Sequence, residues 1–88
     1  MASIRDLKKD INYVLGEIIE MTFDWEKANP DADRKSSSAI VDEAITAFDA
    51  FSVKLNQKDV VNKKAHFRAI KDELTEKGNA LIEKLNAL

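Results

Sequence analysis

Glu17, Glu20 and Asp24 stand at i, i+3 and i+7, a spacing that sets three carboxylates along one side of a helix, where they could share a hydrated cation. They lack the dense oxygen-rich loop of a calcium site, so the expectation is a solvated acidic face. His66 is the single histidine, and the side chain whose ordinary pKa best suits proton transfer near neutral pH. Helical proteins that hold two irons place a Glu three residues before a His on each of two helices. The residue three before His66 is Lys63, so that set fails. There is no Cys, which removes thiol catalysis, disulfides and cysteine-based zinc sites together. No Gly-rich phosphate loop, Walker pattern or EF-hand is present. The sequence therefore predicts no catalytic residue, no metal and no cofactor, hence no enzyme, with His66 at the margin of an apolar stripe.

The bases suggest a different chemistry. Residues 54 to 71 hold Lys54, Lys58, Lys63, Lys64, Arg68 and Lys71 against Asp59 alone, whereas residues 1 to 33 hold eight acids and four bases. A net charge of -2 conceals this imbalance. Bases at the start of a helix oppose its dipole, a small penalty with no structural return. Lys58, Lys63, Lys64 and Arg68 are thus a candidate anion site, and they could equally be solvated lysines that keep a small protein dissolved. Nucleic acid is disfavoured, because the segment lacks interleaved aromatics and most of the chain would repel phosphate.

The elements that must carry these residues are helices. Only two Gly and one Pro sit among the 88 residues, too few turn formers for a sheet protein of this length. One domain is the natural count. From Ile4 the series Leu7, Ile11, Val14, Ile18, Met21, Trp25, Ala28 steps by three and four, which predicts a first helix over 4–28, capped by Ser3 and stopped by Pro30. A second helix is expected over 37–56, capped by one of Ser36 to Ser38, or by Asp33 if it starts early. A third is expected over 60–87, capped by Asp59 or Asn62, with Phe67, Ile70, Leu74, Leu81, Leu85 and Leu88 on its apolar side and Gly78 within that stripe. Arg68 with Asp72, and Glu73 with Lys77, have the spacing of surface pairs along one helix. Short connections favour antiparallel neighbours, so the architecture predicted is an all-α, up-down-up three-helix bundle, a rod on the order of 35 Å long. In that arrangement the basic segment and Arg5, Lys8 and Lys9 share one pole. Asp24, Glu26, Asp31, Asp33, Asp42, Glu43 and Glu83 collect at the other.

The first helix carries more apolar surface than one buried side needs. Leu7, Ile11, Val14, Ile18 and Trp25 form one sector, with Leu15 and Thr22 at one edge and Met21 at the other, and Trp25 reads as a core anchor. Asp6, Asp10, Tyr13, Glu17, Glu20 and Asp24 face water. Ile19 and Phe23 fall in a third sector, near Gly16, Asn12 and Arg5. Two arrangements accommodate them. Either the helix lies in a groove deep enough to shelter Ile19, or Gly16, Ile19 and Phe23 form a contact surface for another protein or a second copy of this chain, with Gly16 permitting close approach.

The segments "SIRDLKKDINYVLGEI" and "LNQKDVVNKKAHFRAI" resemble a group of short bacterial helical proteins to which no activity is assigned. The resemblance implies a helical bundle in a bacterial cytoplasm. No run approaches the roughly 18 apolar residues of a membrane span, and the charged amino terminus has no apolar stretch after it, so a cytoplasmic protein with no membrane partner is expected. The functional expectation is a small non-enzymatic bundle acting through protein contact, with self-association along its first helix, or alternatively an anion- or nucleotide-responsive module using the basic pole.

Overall fold

The computed structural model describes residues 4–58 and 60–88. Three helices, α1 (Ile4–Ala28), α2 (Lys35–Leu55) and α3 (Lys63–Asn86), each pack against the other two, with no strand among the described residues. The result is an all-α three-helix bundle measuring 50 × 19 × 18 Å. It is longer than the helix lengths alone imply. The 25 residues of α1 account for about 37 Å of that length.

Helix boundaries follow local hydrogen bonding. The predicted Ser3 cap and the Asp59 option lie outside the described residues. α2 begins at Lys35, two residues earlier than the serine caps imply; its N-cap position is Arg34, whose side chain makes no capping bond, and Asp33 just before it accepts the Lys35 amide at 2.9 Å. Ser37 is consequently inside the first turn and fully buried. α3 begins at Lys63 instead of residue 60, because Asn62 is the cap and its side chain accepts the Ala65 amide at 3.1 Å.

Leu7, Ile11, Leu15 and Ile18 of α1 pack with Ile40, Ala44, Ala47, Phe51 and Leu55 of α2 and Ile70, Leu74 and Leu81 of α3. The buried lane of α1 is centred on Ile11 and lies nearer Leu15 and Thr22 than the sequence spacing suggests. Trp25 and Val14 are accordingly half-buried, not central. The reason is α2, which approaches α1 on the Leu15 side and draws that edge inward. Thr22, fully buried, satisfies its hydroxyl by donating to the Ile18 carbonyl at 2.8 Å.

Gly78 of α3 is buried where α1 crosses it. A Cβ built there would lie 3.0 Å from Cγ1 of Val14, so the absent side chain lets the two helices approach. Gly16 of α1 is the opposite case: it is exposed, with nothing within 4 Å of the same position. Gly16→Ala should therefore raise unfolding stability by about 1 kcal/mol, the helix-propensity difference. Gly78→Ala should gain less or lose, since Val14 must move. Urea unfolding of the two variants at low protein concentration measures the contrast.

Candidate functional site

The outer face of α1 is built at its seam with α2. The Ser37 hydroxyl donates to the Glu26 carboxylate at 2.6 Å and lies 3.1 Å from the Arg34 carbonyl, which fixes the antiparallel register of the two helices. Ile45 lies eight residues beyond Ser37 and Ile18 eight before Glu26, so they stand at the same level. Glu43 and Lys54 reach across to α3, which leaves the opposite flank of α2, with Val41, Ile45 and Phe48, toward α1.

Ile19 is half-buried and packs against the core, so the groove shelters it. Phe23 is not sheltered; it is 48% exposed. Ile45 is 49% exposed. The structure thus places Gly16, Ile19 and Phe23 on one face of α1 and adds Ile45 and the half-buried Val41 and Phe48 from α2. The α2 contribution was hidden in the sequence, where Ile40, Val41, Ala44, Ile45, Ala47, Phe48, Phe51 and Leu55 spread over one broad apolar side of the second helix. The signal that could have found it was the excess width of that side over what two neighbours can cover.

At the basic pole, the start of α1, the end of α2 and the start of α3 meet. Ile4, Leu55, Lys58, Lys63, His66 and Phe67 are among the residues that line a cleft of about 410 Å³ there. Lys58 and Lys63 are brought together; Lys64 and Arg68 are exposed and line no part of it. Nε2 of His66 lies 2.7 Å from the Lys54 carbonyl, an acceptor, so this nitrogen donates and carries the proton. His66 therefore ties α3 to the last turn of α2, with its ring tilted against Phe67 at 5.9 Å.

Charged groups also close the α2·α3 seam. Lys77 and Lys84 donate to the two oxygens of Glu43 at 2.7 and 2.6 Å, and Lys54 pairs with Glu73. Glu73 and Lys77 thus pair across to α2, not with each other as their spacing along α3 suggests. Beneath these pairs Ala47, Ala50 and Ala80 line a shallow groove of about 420 Å³. The hydrogen bonds from Lys77 and then Lys84 hold the Glu43 carboxyl below its ordinary range, with partial burial opposing them.

Glu17, Glu20 and Asp24 are exposed on α1, and no group of three or more His, Asp or Glu able to hold a metal occurs among the described residues. No described helix is long and apolar enough to cross a membrane. Comparison with protein-family models, curated proteins and solved structures yields no match.

Because the folded pKa of Glu43 is depressed, its contribution to stability is complete above the ordinary carboxylate value and is lost as pH falls through the folded value. Glu43→Gln should flatten the acid side of the stability profile below about pH 4.5, the ordinary value, when urea midpoints are compared across pH.

Proposed function

We propose that this chain is a non-enzymatic helical bundle of the bacterial cytoplasm that works by contact with another protein chain, docking through the outer face of α1 where it meets α2. The observation that supports the reading is Gly16. A glycine inside a helix costs about 1 kcal/mol against alanine. Gly78 has its reason within the molecule, in the approach of Val14, whereas Gly16 opens onto empty space. It sits on the same helix face as Phe23, which is 48% exposed, and the half-buried Ile19, so a notch bare of side chain adjoins an exposed aromatic ring. Such a notch suits a side chain or helix from outside. His66, the residue best equipped for proton transfer, is occupied by the Lys54 carbonyl.

The test is affinity capture with a chain that carries one tag, expressed beside a differently tagged copy, with Gly16→Leu as control. Leucine at this open position leaves the fold intact and fills the notch. Wild type should retain a chain, its own copy or another, that the variant loses, and that chain once purified should rebind. Identical sets retained by both, with no second copy, would contradict the reading.

A second reading, an anion-responsive module, is favoured by the cleft that brings Lys58 and Lys63 between the starts of α1 and α3. It predicts calorimetric binding of inorganic phosphate or a nucleotide at low salt, weakened at least about tenfold by Lys58→Ala with Lys63→Ala. No heat in the millimolar range eliminates it.

A further inference from the structure

The three helices do not share the core equally. α1 buries Leu7, Ile11, Leu15, Ile18 and Thr22, and α2 buries Ser37, Ile40, Ala44, Ala47, Phe51 and Leu55. α3 buries Ile70, Leu74, Gly78 and Leu81, with Phe67 and Leu85 half-buried toward its ends. The most extensive helix contact is the one between α1 and α2. The bond from Ser37 to Glu26 fastens it.

Both flanks of α3 meet their neighbours with little apolar surface. Toward α1, the contact at mid-helix is Val14 against Gly78, where α3 contributes no side chain. Toward α2, the seam lies over Ala47, Ala50 and Ala80 and leaves an open groove of about 420 Å³. Charged pairs bridge it, Lys54 with Glu73 and both Lys77 and Lys84 with Glu43, through side chains that are 30% to 55% exposed. Water replaces such partners at small cost when the helices separate. A further tie is the bond from His66 to the Lys54 carbonyl at the basic pole.

α3 is also a weak helix by itself. Its first turn has no acid and carries Lys63 and Lys64, against the dipole. Gly78 interrupts its second half. A helix of this length is marginal in water without packing, so α3 unwinds once it is separated from its neighbours.

We propose that α3 is a detachable strap. It leaves the hairpin of α1 and α2 as one unit while the hairpin persists, and the clamp of Lys77 and Lys84 on Glu43 is the latch that holds its carboxyl-terminal half. Detachment bares Phe51 of α2, which is 5% exposed in the closed bundle, and the Val14 flank of α1. The closed and open forms thus present different apolar surfaces. The outer face of α1, with Gly16 and Phe23, takes no part in the movement.

Native-state hydrogen exchange of the full chain, followed residue by residue by NMR, tests the strap. Amides over residues 74–82, away from the fraying ends of α3, should be protected at least about tenfold less than those over 11–18 and 44–51. Two variants separate detachment from global unfolding. Ser37→Ala removes a bond that the closed and detached forms both keep, so it should lower protection over 11–18 and 44–51 about fivefold and leave 74–82 unchanged. Glu43→Gln weakens a contact of the closed form only, so it should lower all three segments alike, by about threefold. One common level of protection in the three helices, or a loss over 74–82 in Ser37→Ala that matches the other segments, would overturn the proposal.

Discussion

A straight helix can bury only one side against two neighbours, and α1 resolves that constraint with the lane Leu7, Ile11, Leu15, Ile18 and Thr22. The rest of the surface layout depends on where this lane points. Because it is centred on Ile11 and inclined toward α2, Val14 moves to the α3 flank and meets the space left by Gly78. Ile19 is drawn partly under cover on the α2 flank, and Phe23, farther round, is left at the surface. A rotation of α1 by one residue would exchange these environments.

Polar contacts hold that rotation and the relative heights of the helices. At one pole Ser37 joins α2 to Glu26 of α1, and at the other His66 joins α3 to the last turn of α2. Both acceptors sit near chain turns, where apolar packing thins out and a directional bond can define register. Along the α2·α3 seam the ion pairs of Glu43 and Lys54 take the place of larger apolar side chains above Ala47, Ala50 and Ala80. Such partly exposed pairs contribute modestly each, typically below about 1 kcal/mol. Their greater effect is directional, since they draw one flank of α2 toward α3 and leave the other flank, with Ile45, for α1.

Much of the fold was legible in the residue order. Steps of three and four from Ile4 onward, one proline after α1 and short polar connections were enough to place three antiparallel helices, and Asn62 was recognisable as a cap. The beginning of α2 was less clear because Asp33 and three consecutive serines are all competent caps, and in the fold the cap position falls to Arg34 while Ser37 bonds to Glu26, a residue on another helix. The expectation that Trp25 anchors the core failed for a related reason. Helical periodicity defines a direction only to within the width of a side chain, and the neighbour that approaches more closely selects the centre of the buried arc.

The candidate contact face shows the same division. The sequence by itself determined that α1 carries apolar residues in two directions, that its glycine lies between them, and that acids outnumber bases over residues 1–33 while bases outnumber acids over 54–71, because these are properties of order along one chain. Tertiary structure alone decided that Ile19 is sheltered and Phe23 is not, that Ile45 joins them from α2, and that Gly16 faces open space while Gly78 receives Val14. Each of those outcomes depends on which two surfaces meet and at what height. Rotation and register of packed helices are set by contacts between residues far apart in the chain, and no local pattern encodes them.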